Sequence, residues 1–167
     1  MIEEKNNFKR MTDLMEECQV AMLTTFGKGG DMHSRPMGHL QYEFDGRHLW
    51  FFTSADSAIV SEIESDSSVN VTYSEPKKQI YVAASGTGEI IDDREKIREL
   101  WTPLATAWFP KGVDDPSLRL IKIEVANAEY WEVQFGGLKQ IIAIAKAITT
   151  GEQPDASGVH GRIGSLQ

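Results

Sequence analysis

The chain has 167 residues, of which 41% are hydrophobic and 25% charged, and its formal net charge is −8 at pH 7. This is enough for one globular domain with a core, while the acidic balance excludes nucleic acid as the main partner, since phosphate neutralisation needs clustered Lys and Arg. No apolar run approaches the roughly 18–20 residues of a membrane span, and we expect neither a signal peptide nor membrane binding. A single cysteine, Cys18, permits no intramolecular disulfide and favours a cytoplasmic protein.

Hydrophobic periodicity predicts six or seven strands and three or four helices. In chain order, these are a helix over 8–18, strands over 20–25, 32–44 and 48–53, a helix over 57–63, strands over 69–73 and 79–91, a helix capped by Asp92 or Asp93, strands over 118–125 and 128–133, and a helix over 138–148. Asp45-Gly46 is a two-residue hairpin turn, and Gly86 and Gly88 mark bends or bulges. Because no strand–helix–strand rhythm is sustained, we expect a mainly β antiparallel barrel with peripheral helices, as a single domain over 1–150 with a mobile tail over 151–167.

One arginine lies beside a strand that ends in hydroxyls and leads into a helix. Arg35 is in the first strand of the hairpin, Thr53 and Ser54 end the return strand, and Ser57 opens the helix. Hydroxyls, backbone N–H groups and a cation at one point suit an anion such as a phosphate. The pattern therefore predicts a phosphorylated cofactor, although a surface ion pair for Arg35 and an ordinary capping turn at Thr53 and Ser54 remain alternatives.

Other chemistry is not indicated by the sequence. The four histidines show no ligand spacing, so we expect no metal site. Gly86-Thr87-Gly88 lacks the strand–loop–helix context of a dinucleotide site, and we assign no catalytic residue. The loop over 108–116 carries Trp108 and Phe109, and it either covers the candidate site or is only a turn.

Six segments, in this order and spacing, resemble the FMN-binding split β-barrel family typified by pyridoxamine 5'-phosphate oxidase, and more closely its bacterial general-stress-protein branch. They are Met22-Leu23-Thr24-Thr25, Ser34-Arg35-Pro36-Met37, Leu49-Trp50-Phe51-Phe52-Thr53-Ser54, Ser85-Gly86-Thr87-Gly88-Glu89, Leu100-Trp101 with Trp108-Phe109-Pro110, and Glu129-Tyr130-Trp131-Glu132. The resemblance spans residues 11–148 and implies a six- to seven-stranded antiparallel split β-barrel of Greek-key type.

The resemblance also implies FMN, or FAD, as cofactor and a homodimer whose two flavin sites are lined by both subunits. It places Arg35, Pro36 and Met37 along the isoalloxazine ring and ribityl chain, and Phe52, Thr53 and Ser54 at the ribityl and phosphate end. It also places Ser57 at the start of the helix that faces the phosphate, and Trp131 where it reaches the flavin of the other subunit. Tyr81 falls where the oxidases carry a glutamine that contacts the cofactor.

The chain departs from the oxidases at two places. Their Arg-Lys pair, aimed at the FMN phosphate, is replaced by Ala58 and Ile59, so Ile59 occupies a cofactor position without a charge. No Arg or His follows Trp131 closely, and Leu40 replaces an oxidase lysine, so vitamin B6 oxidation is not expected.

Three functions remain open at this point. The first is a flavin-dependent oxidoreductase acting on an unknown small molecule in a stress response. The second is a non-catalytic flavin-binding protein for storage or sensing. The third is a dimeric scaffold that has lost flavin binding, with haem or a deazaflavin as related alternatives.

Overall fold

The structure is a computed structural model, and it describes residues 2–18, 20–38, 47–133, 146 and 158–163. These residues form three α-helices, one 3₁₀ helix and seven strands. In chain order, the elements are α1 (Ile2–Glu16), β1 (Val20–Phe26), β2 (Met32–Gly38), β3 (His48–Ser54), α2 (Ala58–Ser65), β4 (Ser68–Glu75), β5 (Ile80–Ile91), α3 (Arg94–Leu100), the 3₁₀ helix (Pro103–Ala107), β6 (Leu118–Val133) and β7 (Gly158–Ile163).

The strands form one antiparallel sheet in the order β2-β1-β4-β5-β6-β3, and β7 pairs with β6 off this path. The long strand β6 pairs with β3 through its first half and with β7 through its second half. The prediction of a mainly β antiparallel fold with peripheral helices is therefore confirmed. The two strands expected over 118–125 and 128–133 are one continuous strand.

A bulge lies where β5 crosses the middle of β6, with a register shift between Ser85 and Gly86. A Cβ on Gly86 would lie 1.9 Å from the backbone oxygen of Glu124, so this position requires glycine. The bulge predicted at Gly86 is confirmed.

The sheet separates two apolar clusters, because successive β3 side chains point to opposite faces. Leu49 and Phe51 belong to the main core, which α1 and α2 cover. Phe52 belongs to a second cluster beneath α3 and the 3₁₀ helix, together with Ile97 and Leu118. The end of β3 therefore lies between the main core and a smaller aromatic cluster.

Strand β7 lies within the segment that the sequence predicted to be a mobile tail. Its six residues pair with β6, with His160 opposite Trp131. A Cβ on Gly161 would lie 2.2 Å from the ring of Tyr130, so this glycine allows close packing against a buried ring. Glycine here serves packing rather than mobility, which is why composition did not reveal the strand.

The hairpin predicted between the strands over 32–44 and 48–53 is not seen in their described parts, because β2 pairs with β1 and β3 pairs with β6 at the other end of the strand order. The Asp45-Gly46 turn, residues 39–44 with Leu40, and the helix over 138–148 apart from Lys146 lie outside the described residues. Asp93 does cap α3, accepting hydrogen bonds from the backbone N–H groups of Glu95 and Lys96 at 2.9 and 3.1 Å. No helix in the described part of the chain is long and apolar enough to cross a membrane.

Candidate functional site

Arg35 forms an ion pair with Glu62 on the inner side of the edge strand β2. Arg35 lies opposite the buried Leu23 of β1, which places both side chains on the same face of the sheet. Its Nη2 donates to Glu62 Oε2 at 2.5 Å and to Thr25 Oγ1 at 3.3 Å. The arginine predicted to contact a cofactor is thus held by a carboxylate of α2.

Glu62 is a charged residue at a buried position, with 8% of its side chain exposed. Thr25 Oγ1 donates to it at 2.6 Å, and His33 Nδ1 lies 2.7 Å from its other oxygen. Burial alone would raise the pKa of Glu62, but the hydrogen bonds from Thr25, His33 and Arg35 lower it to about 2. Glu62 is therefore ionised at neutral pH and compensates the charge of Arg35.

Sequence reasoning missed Glu62, although a signal was present. The residue lies three positions after Ile59 and directly before Ile63, on the apolar side of α2. A carboxylate on the buried face of a helix requires a partner, because an unpaired buried charge is costly. Arg35 and His33 were candidates, since both are basic residues of β2, which precedes α2 in the chain.

The junction of β3 and α2 carries the predicted hydroxyls, but they are partly engaged. Thr53 is buried, and the Ser54 hydroxyl donates to the carboxylate of Asp56. This bond, together with one from the backbone N–H of Asp56 itself, lowers the pKa of Asp56. Ser57 is the N-cap residue of α2, but its side chain makes no capping hydrogen bond.

Arg119 lies opposite Thr53 in the pairing of β3 with β6. Its Nη1 donates to the backbone oxygens of Pro116 and Leu118 at 2.8 and 2.9 Å, and its Nη2 lies 3.1 Å from Asp92. This cation is therefore also engaged within the chain.

Ile59 does not reach the surface at this junction. Its side chain is 1% exposed and belongs to the main core, whereas Ala58 is exposed. A ligand at the start of α2 would meet Ala58 rather than Ile59. The structure therefore places Thr53, Ser54 and Ser57 at the β3–α2 junction, pairs Arg35 with Glu62 of the same helix, and buries Ile59.

A cleft of about 140 Å³ lies between the two site strands and the segment that follows α3. Among the described residues, its lining carries no charged side chain. The strands β2 and β3 contribute Pro36, Met37, Gly38 and Phe52, and the opposite wall consists of Thr102, Leu104, Ala105, Trp108 and Phe109.

The cleft wall is aromatic and partly open to solvent. The rings of Phe52 and Phe109 meet edge to face with centroids 6.1 Å apart, and Trp108 is 69% exposed. Rings in this arrangement can contact the face or edge of a flat ligand. The loop with Trp108 thus lines the cleft rather than forming only a turn.

Trp131 lies elsewhere, on the outer face of the sheet. It is 41% exposed and stacks on His160 with ring centroids 5.4 Å apart. Tyr81, 43% exposed, lies directly opposite it on β5. The structure does not bring Trp131 into the lining of this chain's own cleft.

A family model described as pyridoxamine 5'-phosphate oxidase like matches residues 6–155. The chain belongs to this family.

Solved structures of the family's stress-protein relatives share the fold. A protein from Jannaschia sp. CCS1, assigned as general stress protein 26, is 28% identical, with a TM-score of 0.72 over 96% of this chain and 98% of that one. The general stress FMN/FAD binding protein of Xanthomonas citri is also 28% identical, with a TM-score of 0.66 over 79% of this chain and 92% of that one. The fold is therefore the split barrel of pyridoxamine 5'-phosphate oxidase-like proteins, as predicted.

A curated relative is Protein bli-3 of Neurospora crassa. It is 25% identical over 151 residues, which cover 85% of this chain and 72% of the relative.

Proposed function

We propose that the chain binds a flavin, FMN or FAD, with the isoalloxazine ring in the cleft between β2, β3 and the 3₁₀ helix. The observation that carries this proposal is the lining of the cleft. Pro36, Met37 and Phe52, which stand at the family's flavin-lining positions, meet there across from Trp108 and Phe109. An uncharged aromatic cleft suits a flat, largely apolar ring, and family membership supports the same ligand.

The polar end of the ligand would lie toward the β3–α2 junction. Thr53, Ser54 and Ser57 would supply hydroxyls and backbone N–H groups there, and Arg35, which Glu62 holds against α2, would supply the cation. We assign them contacts with the ribityl chain, and the phosphate of FMN would lie beside them. Ile59, being buried, takes no direct part.

We propose a homodimer in which Trp131 approaches the partner's flavin. Tyr81, Trp131 and His160 form an exposed aromatic row across three adjacent strands. Such a row on the outer face of a sheet is suited to burial against another chain. Contact between two copies would add Trp131 to a cleft that it cannot line in its own chain.

The reaction we propose is electron transfer to an uncharged small molecule in a stress response in the cytoplasm, within a single domain that includes β7. A bound flavin would supply the redox chemistry, while the chain holds the ring and shapes the adjoining space. The absence of a titratable side chain from the described cleft lining also suits the alternative of flavin storage or sensing without turnover. Nothing in that lining favours a phosphorylated substrate.

The visible spectrum of the gently purified protein tests the proposal. We expect flavin absorption bands, either as purified or after addition of FMN and gel filtration. Bleaching by a reduced nicotinamide nucleotide would support the oxidoreductase, whereas a bound flavin that is not reduced would favour storage or sensing. A colourless protein after exposure to both FMN and FAD, or a haem spectrum, would contradict flavin binding.

A further inference from the structure

We propose that this chain recognises flavins by the ring and not by the terminal phosphate, and that Glu62 is the specificity residue responsible. The inference rests on the proposed flavin site and defines which part of the ligand that site recognises. It predicts that FMN and riboflavin, which differ only in the phosphate, bind with similar affinity.

The first observation is that the charge of Arg35 is already compensated. Arg35 and Glu62 are in direct contact, and their side chains are 24% and 8% exposed. In a partly buried pair, screening by water is weak, so the negative charge of Glu62 largely cancels the attraction of Arg35 for a second anion. A phosphate at this place would compete with Glu62 for the guanidinium.

The second observation is that two further donors near the junction are engaged by carboxylates as well. The Ser54 hydroxyl donates to Asp56, and Arg119 pairs with Asp92. Asp56 also places a negative charge directly before the start of α2, where a phosphate would otherwise meet the backbone N–H groups.

The third observation concerns positions 58 and 59 at the start of α2. Ala58 is exposed but uncharged, and Ile59 is in the core. Neither position therefore provides a positive charge for a phosphate at the start of α2. The attraction for a dianionic phosphate is weak there, whereas the aromatic cleft does not depend on these two residues.

The experiment compares dissociation constants for FMN and riboflavin at two salt concentrations, in the wild type and in Glu62→Gln. Glutamine keeps the size of the side chain and one acceptor oxygen for Thr25 and Arg35, but removes the charge. The matched control is Glu64→Gln, which removes the same charge from an exposed position of the same helix. A merely structural role of Glu62 would change both ligands alike.

We expect the wild-type dissociation constants for FMN and riboflavin to lie within about threefold of each other and to change little with salt concentration. Glu62→Gln should increase the affinity for FMN about tenfold, because the guanidinium of Arg35 is released as a charge-assisted donor for the phosphate. The affinity for riboflavin should not change. Glu64→Gln should resemble the wild type. Ala58→Arg, which adds a cation at an exposed position without touching the ion pair, should also tighten FMN but not riboflavin.

The proposal is overturned if the wild type prefers FMN by more than about tenfold, or if Glu62→Gln leaves FMN unchanged or weakens both ligands equally. If Glu62→Gln does not fold, the ratio of the wild-type dissociation constants for FMN and riboflavin and the effect of Ala58→Arg on FMN affinity test the proposal. Failure of the wild type to bind either ligand would instead refute the flavin site itself.

Discussion

Arg35 of β2 and Glu62 of α2 make a 2.5 Å ion pair that ties the edge strand of the sheet to the helix beginning at the candidate phosphate end. The two residues are 27 positions apart in the chain, so their contact connects α2 with the β1–β2 hairpin. Thr25 and His33 also form hydrogen bonds with the carboxylate of Glu62. Glu62 therefore links the β1–β2 hairpin to α2.

The ionisation of Glu62 should make stability depend on pH in the acidic range. Its pKa is lowered from 4.5 to about 2 in the folded protein, so its contribution is complete above pH 4.5 and is lost as the pH falls toward 2. The difference in free energy of unfolding between wild type and Glu62→Gln should shrink by about 2 kcal/mol between pH 6 and pH 3. Urea unfolding at both pH values measures it, and a constant difference would contradict the assignment.

Trp108 should contribute to flavin binding without contributing to folding. The side chain is 69% exposed at the mouth of the cleft, so its removal costs little packing. Trp108→Ala should weaken FMN about five- to tenfold, through loss of one aromatic contact. The matched control is Met32→Ala, since Met32 is also 69% exposed but does not line the cleft. Equal effects of the two variants on FMN affinity, or a fall in Tm confined to Trp108→Ala, would contradict this role.

Much of the fold could be predicted from local patterns. Alternating apolar residues identified the strands, and the Asp before α3 identified its cap, because both signals are local in sequence. Strand β7 was missed, since its glycines serve close packing against Tyr130, a contact that composition does not reveal.

The candidate site could be predicted only in part. The segments containing Arg35 and Thr53 were identified by order and spacing. The partner of Arg35 was not, because Glu62 and Arg35 meet only through the tertiary fold. Ile59 was predicted to contact the cofactor from its position in the family pattern. In the structure it is buried, because one residue along the helix separates the exposed Ala58 from the core-facing Ile59.

The burial of Ile59 predicts opposite results for basic substitutions at adjacent positions. Ile59→Lys would place an ammonium group in the main core and should destabilise the fold by about 3 kcal/mol or more. Ala58→Lys, at an exposed position, should stay within about 0.5 kcal/mol of the wild type. Thermal unfolding of the two variants provides the comparison, and equal stability would show that Ile59 is not in the core.

Trp131 should affect assembly as well as ligand binding. Because it lies on an exposed aromatic row outside its own cleft, Trp131→Asp should weaken self-association at least about tenfold, through burial of a charge at the contact. Flavin affinity should fall with it. Sedimentation velocity over a concentration series measures the association, with Trp108→Ala as the control that loses flavin affinity alone. A monomeric wild type, or an unchanged dimer in Trp131→Asp, would contradict the proposed contact.

The most direct test of the central claim is an equilibrium titration of FMN fluorescence with the wild-type protein. Because the ring is proposed to lie against Phe52, Trp108 and Phe109, we expect saturable quenching as protein is added, with one flavin per chain at the end point. Fluorescence that remains at the level of free FMN throughout the titration would show that the cleft does not hold a flavin.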